Sequence, residues 1–562
     1  MGGYKRIKEE IEELEAGIRL WKARHNTLSI IARLPPEILS TIFKCVAAAG
    51  AQQSHLVGSK IRWIHVTHVC SHWRRVALED PSLWTTIPFS HHRWASEMLE
   101  RSKMASLTIM INLYAKDPVY VKLVESSLTR IARIQTLCLR QNLTFLYDDM
   151  LTTILANLVE PAPRLESLEV SFNDRVSVHT LPSGLFSGDA PRLRELELHE
   201  CALAWDVPFL RNLTTLKMYF VPPTTRPSIS QVLAALSNMS HLHTLVLQSI
   251  LPEGSPEVAA GRAGSGIVAQ LPQLAHLSIE ADVPEGAFLL DHLVYPLTVS
   301  IILVGTLRCK SPADASYNLP AVQSFCKVLG KFQPIRCLVA RYTLFAEYIQ
   351  LNTYDIPGTC CQIPLTKAKV DFTLKISSEH KTWEEIHQSL WTSIPMKDLE
   401  SLHVIDNVGS LDWSQIFTTL AAAKLSRLNV TGDSGIGFLR AFCPDAPVPL
   451  NKRVKRRIPL KLSSLREFAI KGWTFDDLTA DGSCFDWLKI CLEDRRKRRG
   501  AIKELFLIEC IHITDDDVDT LRKIVKKVDW DGLEGFSEDE EDEESDGFDF
   551  ENSSDYGFFV PW

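Results

Sequence analysis

The sequence has no long hydrophobic run, and this absence argues against a membrane-spanning helix. Its most apolar stretch, residues 296–307, is too short to cross a bilayer and is followed by Arg308. The N-terminus, Met-Gly-Gly-Tyr-Lys-Arg and then a Glu-rich stretch, lacks the apolar core of a secretory signal. The 13 cysteines are odd in number and lack framework spacing, which predicts reduced thiols. We therefore expect a chain of the cytoplasm or nucleus without membrane contact.

Recognisable catalytic and cofactor motifs are also missing. Residues 432–435 read Gly-Asp-Ser-Gly, as around a serine nucleophile, but no histidine lies in a context that would supply the base. The glycine-rich segment 261–266 lacks the Gly-Lys-Ser/Thr that completes a phosphate-binding loop. Three histidines and Cys70 within 65–72 have metal-ligand spacing, but Cys70 also belongs to an apolar helical face. We expect no enzymatic activity, no cofactor and no metal site.

Charge is unevenly distributed along the chain. The whole sequence carries 61 basic and 69 acidic residues, a net charge of −8. Residues 529–562 contain 14 acidic residues and no Lys or Arg, so the remainder has six more basic than acidic residues. This segment interleaves carboxylates with aromatic residues and has too few aliphatic residues to form a core. The sequence thus predicts a mildly basic body and a disordered acidic tail over 529–562.

Residues 1–33 contain a heptad pattern. Apolar positions recur with alternating steps of four and three residues, which indicates a helix with the seam of a coiled coil. The seam residues are Ile7, Ile11, Leu14, Ile18, Trp21, His25 and Leu28. Three heptads are marginal for an independent coiled coil, and His25 is a poor core residue. Self-association of this helix and its packing on the body are both open alternatives.

Residues 34–90 predict a compact helical domain. The first helix opens with Pro35-Pro36, which a first helical turn tolerates, and places its apolar residues on one face. A second apolar helical stripe runs through 66–77 and is stopped by the Asp-Pro at 80–81. Two short amphipathic helices are therefore expected here.

Three sequence anchors in this domain resemble the F-box family. They are Leu-Pro-x-Glu-x-Leu-x-x-Ile-Phe from residue 34, Val-Cys-x-x-Trp-Arg from residue 69 and Asp-Pro-x-Leu-Trp from residue 80. The resemblance covers residues 34–84, and the loop at 44–62 is longer than usual and lacks the customary proline turn. With the Glu-rich leading helix and the leucine-rich remainder, the chain resembles the expanded F-box families of mushroom-forming fungi.

The resemblance implies a substrate receptor of a Skp/cullin/F-box ubiquitin ligase, whose F-box docks a Skp-type adaptor and through it a cullin-RING ligase. The positions that align with adaptor-contacting or box-core residues of the family are Leu34, Pro35, Ile38, Leu39, Ile42, Phe43, Val69, Cys70, Trp73 and Trp84. So small a domain buries a large apolar strip only by docking against another protein. The receptor would contribute proximity between substrate and enzyme, and no chemistry of its own.

Residues 91–528 are repetitive. The pattern Leu-x-x-Leu-x-Leu, whose last two apolar residues face inward from a short strand, occurs ten times. The matches begin at Ile134, Leu165, Leu193, Leu213, Leu242, Leu274, Leu399, Leu425, Leu465 and Ile502. One such unit cannot bury its apolar face alone, so the units are expected to stack into an irregular leucine-rich-repeat solenoid of the α/β class. An unrelated α/β domain with chance leucine spacing is the alternative.

The interval between residues 280 and 398 lacks this pattern, and strands at 299–301, 336–339 and 372–376 are expected to fill it.

Substrate contacts are expected beside the inward leucines. The candidates are Glu195, Glu197, His199, Lys217, Tyr219, His276, Ser278, Glu280, His403, Arg427, Asn429 and Phe506. They mix both charges with aromatic groups, which favours a protein ligand over nucleic acid. The competing hypothesis is a non-ligase nuclear scaffold that uses the repeats and the acidic tail.

Two basic runs lie at 452–457 and 495–499. Each is a candidate nuclear-import signal or a patch for acidic partners. Each is equally well explained as a solvated loop or helix end between repeats. The acidic tail offers a third explanation, because it could fold back onto them.

Overall fold

The computed structural model divides the chain into two compact units. The first comprises residues 1–357 and 364–399, and the second comprises 358–363 and 400–562. The structure describes residues 2–52, 59–89, 91–113, 118–141, 150–173, 178–255, 258, 266–309, 312–331, 334–343, 348–354, 358–359, 368, 370–378, 383–406, 411–432, 435–443, 460–475, 478–479 and 482–533.

The chain begins with three α-helices. They are α1 (Gly2–Thr27), α2 (Pro36–Gln52) and α3 (Ser71–Glu79), with 3-10 segments at Ile30–Arg33, Ser59–His68 and Pro81–Trp84. α2 begins at Pro36, whose missing N–H would have no intrahelical partner in a first turn. α3 ends just before Asp80-Pro81, because the residue that precedes a proline disfavours helical geometry. The helical character predicted for this region is confirmed, but the stripe expected over 66–77 is not one helix: it is interrupted at Val69 and Cys70, and Cys70 caps the start of α3.

The described residues of the first unit contain a sheet of twelve strands. In chain order they are β1 (Thr86–Ile87), β2 (Leu107–Leu113), β3 (Ile134–Gln141), β4 (Ser167–Ser171), β5 (Glu195–His199), β6 (Thr215–Tyr219), β7 (Thr244–Gln248), β8 (His276–Asp282), β9 (Ser300–Cys309), β10 (Cys337–Thr343), β11 (Tyr348–Tyr354) and β12 (Val370–Ser378). From β1 to β9, each strand pairs in parallel with the next strand along the chain.

The chain order breaks after β9. β12 pairs in parallel with β9, and β11 lies antiparallel between β12 and β10. β9, β10 and β12 coincide with the three strands expected between residues 280 and 398. β11 is additional: its sequence, Tyr-Ile-Gln-Leu-Asn-Thr-Tyr, alternates as a strand does but lacks the leucine pattern.

The ten pattern matches all become strands. In each match, the last two apolar residues are at most 1% exposed, as for Leu196 and Leu198 of β5. The intervening residues of β4, β5 and β6 lie on the opposite face and remain partly exposed. Parallel sheets are usually covered on both faces. The strands from β4 to β6 therefore leave an open face that is available for contacts with other molecules.

Helices and tight turns connect the strands of the first unit. The helices are α4 (His92–Arg101), α5 (Pro118–Leu128), α6 (Met150–Asn157), α7 (Ile229–Leu236), α8 (Val283–Asp291), α9 (Pro312–Lys331) and α10 (Trp383–Ser393). A capping box starts α7: the Gln231 N–H donates to Ser228 Oγ, and the Ser228 N–H donates to Gln231 Oε1. Between β5 and β6 the 3-10 turn Pro208–Asn212 takes the place of a helix, which explains the shorter sequence step there.

Residues that directly follow several strands adopt the left-handed backbone conformation. The angle φ is 54° at Glu200, 57° at Phe220 and 53° at Ser249, after β5, β6 and β7. Positive φ is uncommon for residues other than glycine. The N–H groups of these three residues each donate a 2.8 Å hydrogen bond to a backbone carbonyl of the neighbouring strand. The same turn thus recurs at the same place in successive units.

The second unit contains a smaller parallel sheet. Its described strands are β13 (Ser401–Asp406), β14 (Arg427–Thr431), β15 (Glu467–Lys471), β16 (Glu504–Ile508) and β17 (Lys527–Trp530), paired in chain order. Its helices are α11 (Trp413–Thr419), α12 (Gly435–Phe442), α13 (Cys484–Lys497) and α14 (Asp515–Arg522). Trp413, Phe438 and Trp473 pack together in its core. Short additional strands in the chain lie at His179–Thr180, Cys201–Ala202, Ala269–Gln270, Leu293–Val294, Leu478–Thr479 and Gly482–Ser483.

The predictions for the two ends of the chain differ in how far the structure describes those residues. The leading helix predicted over 1–33 is present as α1, and its apolar seam is exposed, like the other sides of the helix. The acidic segment begins within β17, and residues 534–562 lie outside the described residues. Among the helices that the structure describes, none combines the length and the apolar character needed to cross a bilayer.

Candidate functional site

The N-terminal helices pack around a small aromatic core. Trp84 is fully buried, and its indole N–H donates a 2.7 Å hydrogen bond to the backbone carbonyl of Ala77 in α3. Trp63 meets Trp84 edge-on with ring centroids 4.9 Å apart. Phe43 of α2 lies 5.1 Å from Trp73 of α3, again between centroids. Tilted and edge-on aromatic pairs of this kind fix the helices relative to one another.

Asp80 joins α2 to the turn after α3. Its carboxylate accepts hydrogen bonds from the hydroxyl of Ser40 and from the hydroxyl and N–H of Ser82, and the Lys44 ammonium lies 3.2 Å away. Burial alone would raise the pKa of Asp80, but the hydrogen bonds from Ser40, Ser82 and Lys44 outweigh it and lower the pKa to about 2. An ionised carboxylate therefore holds the two segments together at neutral pH.

α2 carries an exposed apolar strip beside its buried face. Ile38, Ile42 and Val46 are each one helical turn apart and are 48%, 40% and 43% exposed. These three residues are termed the apolar strip. Leu39 and Phe43, one position further along the helix, are fully buried. Contiguous exposed aliphatic side chains of this kind mark a protein interaction site.

The geometry of this region agrees with a comparison against known protein families. Residues 31–90 match the F-box-like family model. A comparison with curated proteins finds no match. The chain therefore has an N-terminal helical F-box-like domain, followed by a mixed α/β body with a large sheet. An F-box domain suggests a subunit that binds a Skp-type adaptor.

The ten residues that the resemblance assigned to adaptor binding fall into two groups. Leu39, Phe43 and Trp84 are fully buried and form the core of the F-box-like domain. The others reach the surface to differing degrees: Leu34, Cys70 and Trp73 are half-buried, and Pro35, Ile38, Ile42 and Val69 are exposed. Val46 was not among the ten, because the family motif ends at residue 43. The four-residue step from Ile38 and Ile42 is the signal that leads to it.

A cluster of paired polar side chains occupies the open face of β5 and β6. Glu197 of β5 lies 3.0 Å from the ring nitrogen Nε2 of His199 and accepts a 3.0 Å hydrogen bond from Lys217 of β6. His199 stacks on Tyr219 with ring centroids 4.3 Å apart. These four residues, all predicted as substrate-surface candidates, are termed the Glu197 cluster. The structure brings them together because Glu197 pairs with Lys217, and His199 with Tyr219, across adjacent strands.

The side chains of the Glu197 cluster shift one another's pKa values. The hydrogen bond with His199 is the main cause that lowers the pKa of Glu197 to about 2, against the opposing effect of burial and with a further contribution from Lys217. Burial, together with the negative charge of Glu197, raises the pKa of Tyr219 to about 12. At neutral pH the cluster therefore presents an ionised carboxylate beside a protonated phenol.

The same face continues on both sides with ion pairs that the sequence did not reveal. On β3, Arg140 makes two hydrogen bonds, of 2.5 and 2.9 Å, with Glu169 of β4. Lys375 of β12 lies 2.9 Å from Glu280 of β8, which was a predicted candidate. Arg140 and Glu169 flank inward leucines just as Glu197 does, so the same alternation could have identified them. Lys375 lies where the leucine pattern is absent.

The remaining candidates of the first unit lie near strand starts. Glu195 is exposed at the beginning of β5, and His276 is half-buried at the beginning of β8. Ser278 of β8 is only 4% exposed. Ser278 therefore offers little surface to a partner, whereas the side chains of Glu195 and His276 are accessible to solvent.

The second unit places its candidates on the strands of its own sheet, where the central positions are buried on both faces. Arg427 of β14 pairs with Glu467 of β15 at 3.2 Å. Phe506 of β16 is half-buried, and the Lys527 ammonium lies 5.4 Å from its ring centroid. His403 and Asn429 are 3% and 8% exposed. Arg427 and Phe506 are therefore the accessible members of this set.

The basic run at 495–499 is the end of α13 rather than a uniform surface patch. Arg495 is 1% exposed and donates hydrogen bonds of 2.8 and 2.7 Å to the carbonyls of Lys461 and Leu462. Burial lowers the pKa of Arg495 to about 10. Arg498 pairs with Asp494 at 2.9 Å. Arg496 donates to the carbonyl of Lys523 and Lys497 pairs with Glu493, so at least four of the five cations have partners within the chain. The run at 452–457 lies outside the described residues.

The described residues hold no group of three or more His, Cys, Asp or Glu side chains arranged to bind a metal ion. The imidazoles of His65 and His68 are 6.1 Å apart between ring centroids. Burial raises the pKa of the Cys201 thiol to about 12 and that of the Cys510 thiol to about 11, so both thiols are protonated at neutral pH.

Proposed function

We propose that this chain is the substrate-recognition subunit of a Skp/cullin/F-box ubiquitin ligase. The F-box-like domain docks a Skp-type adaptor, and through it the cullin, while the repetitive body binds a protein substrate. The observation that carries this proposal is the apolar strip. A domain that matches the F-box-like family leaves Ile38, Ile42 and Val46 exposed, although neighbouring positions of the same helix are buried.

Docking at the apolar strip is favourable because it removes aliphatic surface from water. Full burial of an aliphatic side chain is worth about 1.5–3 kcal/mol, so covering the exposed part of each strip residue contributes about 1 kcal/mol. Exposed Pro35 and Val69 would extend the contact. The aromatic core formed by Trp84 and Trp63 holds the helices in a fixed geometry, which limits the ordering that docking requires.

We further propose that the body is an irregular leucine-rich-repeat array in each unit. Ten leucine patterns become strands, and successive strands pair in parallel over most of both sheets. The left-handed residue after β5, β6 and β7 recurs at equivalent positions. Cys201 and Cys510 follow their strands at the position where leucine-rich repeats carry Asn or Cys.

In this proposal the substrate surface is the open face of β4 to β6, together with the accessible Arg427 and Phe506 of the second sheet. Glu197, Lys217 and Tyr219 offer both charges and an aromatic ring within one cluster, which suits a folded protein or peptide ligand. The chain has no catalytic role: it brings the substrate near the ubiquitin-loaded enzyme and acts through proximity. It needs no cofactor and acts in the cytoplasm or nucleus, where Skp-type adaptors operate.

The proposal is tested by placing charges in the apolar strip. Ile38→Asp with Ile42→Asp in the full chain should weaken adaptor binding by 100-fold or more, on the order of 3 kcal/mol, because each carboxylate would be buried without a partner. Binding to a purified Skp-type adaptor is measured by calorimetry. Leu297→Asp is the matched control, since Leu297 is 65% exposed in the first unit but lies outside the F-box-like domain.

Two outcomes would count against the proposal. Equal binding by the double variant and the control would show that the apolar strip is not part of the adaptor contact. Failure of the unmodified chain to bind the adaptor would favour the scaffold hypothesis, in which the repeats assemble a complex without a ligase.

A further inference from the structure

The leading helix α1 has an apolar seam that the described chain does not cover. Ile7, Ile11, Leu14, Ile18 and Trp21 are all at least half exposed, and together they form one stripe along the helix. Tyr4, three residues before Ile7, extends this stripe and is 81% exposed. A helix with a long apolar stripe in water is stabilised only weakly by itself and requires a covering partner.

The charged residues beside the seam restrict what that partner can be. With Ile11 at an a position and Leu14 at a d position, Lys8 and Glu15 occupy e positions and Glu10 occupies a g position. In a parallel pair of copies, g faces e of the other helix, so Glu10 would face Glu15 twice. That arrangement places like charges together at both flanks of the seam.

An antiparallel pair of copies gives the opposite result, because e positions then face e positions. If Ile11 packs against Leu14 of the second copy, Lys8 lies beside Glu15 of the second copy, and this happens twice by symmetry. The same register pairs Ile7 with Ile18 and Tyr4 with Trp21. It also leaves His25 beyond the contact, so that the one polar seam residue is not buried.

We propose that α1 is a self-association site, at which two copies of the chain pair through an antiparallel coiled coil centred on Ile11 and Leu14. The charge complementarity of Lys8 and Glu15 selects a second copy as the occupant and fixes its direction. Because α1 ends at Thr27, the F-box-like domains leave the pair at opposite ends. A dimer would then present two docking domains, which raises the effective affinity for any partner that is itself multivalent.

Reversing the charge of Glu15 tests the site. In the full chain, Glu15→Lys should raise the dimer dissociation constant roughly tenfold, because two attractive pairs become two repulsive ones. Lys8→Glu combined with Glu15→Lys restores both pairs and should return the constant to that of the unmodified chain. The constants are measured by sedimentation equilibrium at low salt. Adaptor binding, which depends on other residues, is expected to stay unchanged.

Glu12→Lys is the matched control, since Glu12 lies on the outer side of the same helix. Glu15 also lies 3.6 Å from Arg19 of its own helix, but both side chains are more than half exposed, so this pair contributes little. Circular dichroism of each variant checks that helix content is retained. The control should leave the dissociation constant unchanged.

Three results would overturn the proposal. A chain that stays monomeric at every concentration has no such site. A tighter dimer for Glu15→Lys would indicate the parallel arrangement, in which the substitution removes the repulsion with Glu10. Cysteine cross-linking gives an independent readout: chains with Ile11→Cys and chains with Leu14→Cys should form a mixed disulfide, whereas efficient cross-linking of Ile11→Cys to itself contradicts the antiparallel register.

Discussion

The apolar strip of α2 and the Glu197 cluster of β5 and β6 are both exposed, but their side chains are satisfied in different ways. Ile38, Ile42 and Val46 have exposed aliphatic surface that the described part of the chain leaves uncovered. Glu197 already has hydrogen bonds to His199 and Lys217. A ligand at the strip gains from displaced water, whereas a ligand at the cluster must replace bonds that already exist.

Under the proposed function, this difference suits the two surfaces to different tasks. Covering aliphatic surface favours any partner of matching shape, so the strip suits a constant partner such as an adaptor. At the cluster, a ligand must replace existing hydrogen bonds and ion pairs, which is favourable only when the ligand carries complementary groups. The cluster therefore suits discrimination among substrates. Substitutions that separate folding from binding can therefore test the comparison directly.

The largest effect on stability is expected from a substitution on the buried face of α2, compared with one at the exposed strip. Phe43→Ala removes a fully buried ring and should destabilise the F-box-like domain by about 3–5 kcal/mol. Ile42→Ala changes the exposed neighbour and should cost about 0.5 kcal/mol or less while still weakening adaptor binding. Hydrogen exchange of α2 and α3 in the full chain measures the stability of both variants. Similar exchange rates for the two would show that the buried and exposed faces are wrongly assigned.

Substitution of Asp80 should have the next largest effect on stability, because its carboxylate joins α2, which carries the apolar strip, to the turn after α3. Its folded pKa of about 2 lies below the ordinary value of 3.8, so its stabilisation is complete above about pH 4 and is lost as the pH falls towards 2. Asp80→Ala should therefore cost about 2 kcal/mol at pH 7, measured by hydrogen exchange of α2.

Asp519→Ala is the control for Asp80. Asp519 pairs with Arg522 at 2.8 Å, but its side chain is 63% exposed, so its removal should change stability very little. Equal effects of the two substitutions would mean that the Ser40 and Ser82 hydrogen bonds do not stabilise the F-box-like domain.

The sequence was sufficient to predict features that depend on local periodicity. Leucines at fixed steps bury one face of a short strand, and all ten patterns became strands for this reason. The anchors at residues 34, 69 and 80 were informative because a proline, a buried tryptophan and an Asp-Pro stop act within one or two helical turns. These features are decided by neighbours along the chain.

Features that depend on register and packing could not be predicted in the same way. The pair formed by Arg140 and Glu169 exists because β3 and β4 align in one particular register. Arg495 looks like its basic neighbours in the sequence, yet it is buried because two carbonyls at Lys461 and Leu462 lie within its reach. β11 alternates as a strand does but lacks the leucine pattern, and its antiparallel place between β10 and β12 depends on pairing that the local sequence does not specify.

Glu197→Gln should have a smaller effect on folding than Asp80→Ala. The folded pKa of Glu197 is about 2, below the ordinary 4.5, so its contribution is present above about pH 4.5 and is lost as the pH falls towards 2. Since 30% of the side chain is exposed, solvent screening limits the cost of the substitution to about 1 kcal/mol. Urea unfolding at pH 7 and pH 3 should show a difference between the variant and the parent that shrinks at the lower pH. A difference that does not change with pH would argue against an ionised Glu197 in the folded protein.

The smallest change in stability is expected at Arg427, which makes it the cleanest probe of binding in the second unit. Its pair with Glu467 is partly exposed on both sides, so Arg427→Gln should cost no more than about 0.5 kcal/mol. Lys497→Gln on α13 is a control with the same loss of charge away from the sheet. Proteins captured by each variant under proteasome inhibition are quantified by mass spectrometry. If urea unfolding shows the stability of Arg427→Gln to be unchanged, a loss of captured proteins specific to this variant would place a substrate contact on β14. Unchanged capture would instead remove Arg427 from the substrate contact.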